Sequence, residues 1–174
     1  MKWQVLVIHG GDSFPTYNSY LTFLKKFKIE LPNTLKIGWK SLLQKRLGKN
    51  YSVIQPQMPN KTNAKYNEWK IWLEKYLPFI RNNVILIGHS IGGAFLAKYL
   101  SENNFPKKIK AVFLISPPYN KDEDKKLVEF VLPKSLSNFE RQAGNIFIYH
   151  SKDDDIVDFK ELSKYEKALP TAKP

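Results

Sequence analysis

The chain contains no cysteine, so disulfides, thiol nucleophiles and thiolate metal sites are excluded. No apolar run approaches the ~20 residues of a membrane-spanning helix, so no membrane partner is expected. The opening residues Met1-Lys2-Trp3-Gln4 lead straight into a short apolar run. They lack the long apolar region and small-residue cleavage site of a signal peptide, and the cytoplasm is the expected compartment. Acidic residues are scarce in one part of the chain. Residues 1–110 hold 18 Lys and Arg against 5 Asp and Glu, whereas residues 111–174 hold 10 against 11, which gives a net charge of +12. A basic half can mark contact with nucleic acid. No arginine-rich cluster, RNA-binding aromatic signature or zinc-finger spacing accompanies it here. The charge is therefore read as lysines coating outer helix faces, and nucleic acid is not an expected partner.

What is present is the composition of a globular domain: 174 residues, 43% of them hydrophobic and 14% aromatic. Residues 1–174 are read as a single domain, long enough to bury a substantial core. Continuously apolar runs over Val5–Ile8, Tyr51–Ile54, Val84–Ile87, Ala111–Ile115 and Ile146–Tyr149 predict strands buried on both faces, as in a parallel sheet. Amphipathic stretches alternate with them. Helices are predicted over Tyr17–Phe27, Leu35–Leu47, Ala64–Phe79, Ile91–Leu100, Asp122–Val131 and Asp158–Leu169. The third of these has an aromatic side, Tyr66, Trp69, Trp72 and Tyr76, expected to be core. This alternation predicts an α/β three-layer sandwich, mostly parallel, with helices on both faces and strand order 2-1-3-4-5. The stretch Lys28–Asn50 is longer than one crossover needs. It is either a small cap beside the site or a surface insertion.

Gly88-His89-Ser90-Ile91-Gly92 fits the G-x-S-x-G pattern, after an apolar strand and before a helix. A sharp strand-to-helix turn lifts the Ser90 hydroxyl above the sheet, and it is cramped enough to require small flanking residues. The helix N-terminus aims its first N–H group, that of Ile91, at a developing oxyanion. The loop His9-Gly10-Gly11-Asp12 ends the first strand and lies on the same sheet edge. It can offer a second donor from Gly11, or from Asp12 if the loop is shifted. His9 and His89 are read as structural or lining residues.

The turn His150-Ser151-Lys152-Asp153-Asp154-Asp155 follows the fifth strand and carries the candidate acid, which would orient an imidazole base and stabilise its cation. Asp154 is favoured, with Asp153 second. Three adjacent carboxylates lack the regular oxygen spacing of a dedicated cation loop, and neither a metal nor a cofactor is expected. A serine hydroxyl needs an adjacent base, and chain order predicts a histidine after the acid. The only histidines, His9, His89 and His150, do not follow it. The expectation is that the strand and loop bearing the base are missing, leaving the fifth strand as an apolar edge.

With these motifs in hand, the sequence resembles the retinoblastoma-binding protein 9/YdeN-like family of small α/β-hydrolases. The resemblance runs over nearly the whole chain. It includes the His9-Gly10 loop, the elbow, Pro56-Gln57-Met58-Pro59-Asn60 followed by Trp69, Ser116-Pro117-Pro118 and the acid turn. It implies a compact serine hydrolase without a large lid, with Ser90 as nucleophile and Asp154 as acid. The family's histidine comes in a Gly-His-Phe-like motif near the C-terminus, which this sequence lacks. The implied activity is cleavage of a small ester, amide or peptide through an acyl-enzyme. The alternative is a binding or regulatory protein that keeps the fold without catalysis.

Overall fold

The computed structural model describes residues 2–29, 38–119 and 127–173. Five strands, β1 (Trp3–Ile8), β2 (Tyr51–Ile54), β3 (Val84–His89), β4 (Ile109–Ile115) and β5 (Asn145–Tyr149), form one sheet in the order β2-β1-β3-β4-β5. Every pairing is parallel. This is the order and orientation expected, and its cause is apolarity on both faces. In β1, Val5, Leu6, Val7 and Ile8 are all at most 2% exposed, which only a covered parallel sheet allows.

The helices are α1 (Tyr17–Lys26), α2 (Trp39–Leu47), α3 (Tyr66–Tyr76), α4 (Ile91–Glu102), α5 (Ser137–Gln142) and α6 (Lys160–Ala168). The path turns one way from β1 to β2 and the other way from β2 onward. Right-handed crossovers therefore put α1 and α2 on one face and the later helices on the other. Helix α1 starts at a capping box in which Thr16 and Ser19 bond each other's backbone N–H groups. Helix α4 runs behind the elbow and is buried at nine of its twelve positions. A Cβ on Gly92 would lie 2.4 Å from the His9 carbonyl oxygen and 2.6 Å from that of Ile8, so glycine is what lets the helix pass this close to β1.

Trp69 and Tyr66 of α3 pack with Phe95 and Phe130 at ring separations of 5.3–5.9 Å, close to the edge-on arrangement aromatic pairs favour. Only half of the expected aromatic core face is core: Trp72 is 40% exposed and Tyr76 is half-buried. Helix α3 stops at Tyr76, and Leu77–Phe79 tightens into a 3-10 turn containing Pro78, whose ring cannot continue the ladder. The predicted helix over Asp122–Val131 is represented among the described residues by a 3-10 turn at Val128–Phe130; its first part lies outside them, as do residues 35–37 of the predicted Leu35–Leu47 helix. Helix α5 has no counterpart in the sequence reading, being only six residues long.

The outer edge of β5 is not bare. Lys173 donates its N–H to the Ile146 carbonyl and accepts that of Ile148, both at 2.9 Å, in a parallel bridge opposite Phe147. A single rung thus stands where a sixth strand would lie.

Candidate active site

Ser90 sits between β3 and α4 at φ 52° and ψ −128°, a left-handed conformation that non-glycine residues avoid. Its N–H donates to the Ile115 carbonyl at 2.8 Å, and its own carbonyl accepts from Gly93 N–H at 2.7 Å. These bonds fasten the turn to the end of β4 and to the first turn of α4. A Cβ on Gly88 would lie 2.6 Å from the Gly92 carbonyl and from the Gly93 Cα, so the turn closes only with small residues. The N–H of Ile91, first in α4, has no carbonyl one helical turn before it.

The β1 loop rides against this turn. A Cβ on Gly10 would lie 3.2 Å from Ser90 Cβ and 3.0 Å from His89 Nδ1. At Gly11 a Cβ would strike the Lys61 carbonyl at 2.4 Å. The N–H of Asp12 donates to that same carbonyl at 2.8 Å, which removes Asp12 as an alternative oxyanion donor and leaves Gly11.

The acid turn reaches the same sheet edge. Asp154 Oδ1 accepts the N–H groups of Val157 and Ile156 at 2.9 and 3.0 Å, and the Ser116 hydroxyl is close enough to stabilise its carboxylate. Ser116 lies at the end of β4, its N–H donating to the Tyr149 carbonyl at 2.7 Å, and it too has a positive φ, 45°. Partial burial pushes the Asp154 carboxyl up, but the Val157 N–H, the Ser116 hydroxyl, the Ile156 N–H and the nearby His150 together hold it below the usual range. Its charge also acts on His89, beside the nucleophile. Asp153 is exposed and bonds the Ser151 hydroxyl. Of the two candidates, Asp154 is the one held at the sheet edge.

Each histidine is committed elsewhere. His9 Nε2 accepts the Met58 N–H at 2.9 Å, which puts its proton on Nδ1, where it donates to the Gly10 carbonyl at 2.7 Å. Burial and the charges of Lys61 and Lys40, against that backbone bond, lower its pKa. The ring stands edge-on to Trp69, whose indole N–H donates to the Pro59 carbonyl at 2.8 Å. The Pro56–Asn60 segment is therefore the clasp that holds the β1 loop. The side chain of His150 is fully buried. Its Nε2 donates to the Val157 carbonyl at 2.8 Å, it lies 3.8 Å from Asp154 Oδ2, and its Nδ1 is sealed without a partner. His89 Nδ1 accepts from Lys40 Nζ at 3.2 Å, and burial plus the Lys40 charge lower its pKa to about 4. Two residues at this edge carried no role in the sequence reading. Ser116 was visible there only within a Ser-Pro-Pro match, and Lys40 stood in the long stretch whose place was undecided.

A family model described as "Serine hydrolase" matches residues 33–172. None of the curated proteins compared with the chain matches it. Among solved structures, the ydeN gene product of B. subtilis is similar with a TM-score of 0.67 and 20% identity, over 98% of this chain and 83% of that one. A Pectobacterium atrosepticum protein described as YdeN-like has a TM-score of 0.64 and 14% identity, over 99% and 75%. The esterase domain of a Rhodothermus marinus protein has a TM-score of 0.57 and 16% identity, over 98% and 73%. At these identities the likeness is one of fold, and the fold is that of the α/β-hydrolases.

Proposed function

The chain belongs to the serine hydrolase family, and from that premise we propose that it cleaves small ester, amide or peptide bonds through an acyl-enzyme on Ser90. Ser90 Oγ bonds to the carbonyl carbon, and the carbonyl oxygen takes up negative charge. The N–H groups of Ile91 and Gly11 receive that oxyanion. The leaving alcohol or amine departs with a proton, and water then cleaves the acyl-enzyme, restoring the serine and releasing the acid. Asp154 orients the imidazole that takes the serine proton and stabilises its charged form. In this reading that imidazole is none of His9, His89 or His150: both ring nitrogens of His9 are bonded, His150 is buried and bonds the Val157 carbonyl, and His89 holds Lys40 through Nδ1.

The observation that carries this reading is the strained backbone of Ser90, φ 52° at the mouth of α4 with Gly10 packed on its Cβ. Strain of this kind persists where the surrounding structure enforces it for a purpose. The test is covalent labelling with a fluorophosphonate. Ser90 is expected to take the label and Ser90→Ala to take none. A second reading, a binding protein that keeps the fold, is favoured by one specific observation: each of the three histidines already holds a hydrogen bond to another part of the chain. Intact protein that stays unlabelled and turns over no activated ester would establish that second reading instead.

A further inference from the structure

Beside the elbow, past the carboxyl ends of β1 and β2, lies a cavity of about 280 Å³. Its polar lining comes from His9, Lys40, Ser41, Gln55, Gln57 and Lys61, and among the described residues no carboxylate lines it. Gly10, whose Cα faces Ser90 Cβ, is part of the same wall. The cavity and the nucleophile thus flank the same glycine of the β1 loop. Its volume is at the small end for ligand sites.

The two ammonium groups are its dominant charges. Neither pairs with a carboxylate among the described residues. Lys40 is not a free surface lysine. It lies 5.3 Å from the centre of the Trp39 ring and 3.2 Å from His89 Nδ1, and its carbonyl accepts the Gln55 amide at 2.9 Å. Helix α2, which carries it, is tied to β2 by Gln44. That side chain accepts the Val53 N–H at 2.9 Å and donates to the Tyr51 carbonyl at 3.1 Å. Burial, and then Lys61, push the Lys40 ammonium below its usual range. The pKa values of His9, which lines this wall, and of His89, which Lys40 bonds, are both lowered, so neither adds a further positive charge near neutral pH. Two like charges facing one cavity, one of them partly desolvated, raise the energy of the empty site. An anion between them lowers it.

We propose that this cavity binds an anionic oxygen group, a carboxylate or a phosphate, on a small substrate whose scissile carbonyl lies at Ser90. Lys40 and Lys61 supply the charge, and the Ser41 hydroxyl and the Gln57 amide supply further donors. The preferred substrates are then small esters carrying a negative charge on the part that fills the cavity, rather than neutral acyl esters. The catalytic half of this inference rests on the hydrolase reading; the binding half does not.

The experiment separates the two. Adipate, inorganic phosphate and neutral dimethyl adipate are titrated by calorimetry at low salt, where screening is weak, into the native protein and into Lys40→Gln and Lys61→Gln. At least one of the anions is expected to bind while the neutral diester does not. Each substitution is expected to weaken binding roughly tenfold, the loss of one charge-assisted contact. Lys61 is exposed, so Lys61→Gln keeps the test open should Lys40→Gln fail to fold. Adipate binding with phosphate silent identifies a carboxylate, and the converse identifies a phosphate. The ratio of kcat/KM for mono-4-nitrophenyl adipate to that for neutral 4-nitrophenyl hexanoate is then expected to exceed one and to fall in both variants. Failure of both anions to bind, or binding that Lys61→Gln leaves unchanged, overturns the proposal even if neutral esters are turned over. Anion binding without any ester turnover upholds the cavity and overturns the hydrolase reading.

Discussion

Single residues at the site are legible in the sequence where geometry leaves few choices. The elbow is the clearest case: Gly88, Gly92 and Gly93 each sit where a Cβ would come within 3 Å of a neighbouring atom, so the motif and its fold context imply each other. Asp153 and Asp154 are harder to tell apart in the sequence, because adjacent carboxylates in one turn differ only in the direction they face; in the structure Asp154 accepts backbone N–H groups and Asp153 bonds the Ser151 hydroxyl. The histidines were legible as residues with structural work, but not in what that work is. His9 holds the Met58 segment and His89 receives Lys40, and both bonds span 49 residues. Their protonation has a measurable consequence. His89 is lowered from 6.5 to about 4, and His9 is lowered too. An unfolded chain therefore binds more protons than the folded one as pH falls below 6.5. Stability is greatest above that value and is lost as pH drops toward 4. The groups facing His89 include Lys40, which lowers its pKa, and Asp154, which raises it. The urea midpoint should fall steadily between pH 7 and pH 4.5 and should fall less steeply in His89→Gln. A midpoint flat across that window would show that neither imidazole is held neutral.

At the scale of elements, strands were easier to place than helices. A buried parallel strand is a run of four or five apolar residues with little else it can be. Helices depend on what they pack against. Helix α1 is amphipathic yet has no fully buried residue, whereas α4 is apolar nearly all round because it lies in the core. Helix α2 bears on the two readings of the Lys28–Asn50 stretch, whose residues 30–37 lie outside the described residues. Its Trp39 ring stands 6.0 Å from His89, and its Lys40 reaches the same histidine, so this part of the stretch lies beside the site. Hydrophobic patterning could not reveal that, because α2 docks through amide and ammonium contacts more than through an apolar face. Gln44 is a tie to β2, with two hydrogen bonds to its backbone at Tyr51 and Val53, and a third to Gly48 at the end of its own helix. Replacing it in Gln44→Ala removes the acceptor for Val53 N–H and is expected to cost about 1 kcal/mol of stability. The larger effect should be local. Amide hydrogen exchange in Trp39–Leu47 should accelerate while that of β3 and α4 stays protected. Equal acceleration throughout would mean that α2 is not a separately anchored element.

Across the whole molecule, the candidate catalytic residues converge because a doubly wound sheet gathers its loops at one edge. The β1 loop brings Gly11, the β3 elbow brings Ser90 and Ile91, the end of β4 brings Ser116, and the β5 turn brings Asp154. The candidate nucleophile, oxyanion donors and acid therefore share one edge, where the proposed mechanism calls for an imidazole. None of the three histidines can move there cheaply. His9 would abandon the Met58 N–H, His150 would leave the Val157 carbonyl and a sealed pocket, and His89 precedes Ser90 in a turn that sends neighbouring side chains in different directions. If the proposed oxyanion donors act and none of the three histidines serves as the base, some rate should remain, since roughly 10³–10⁴-fold over water survives loss of a triad member. It should also accept a base from solution. Residues 1–174 are therefore expected to hydrolyse an activated short-chain ester slowly, and added imidazole should raise the rate saturably. Ser90→Ala should abolish both the basal and the rescued reaction. Asp154→Asn should blunt the rescue, because the added imidazole loses the carboxylate that orients it and stabilises its cation. A linear dependence on imidazole that persists in Ser90→Ala would be ordinary solution catalysis. Fast turnover without imidazole, abolished by replacing one of the three histidines, would show that the histidine concerned leaves its present bonds to act as the base.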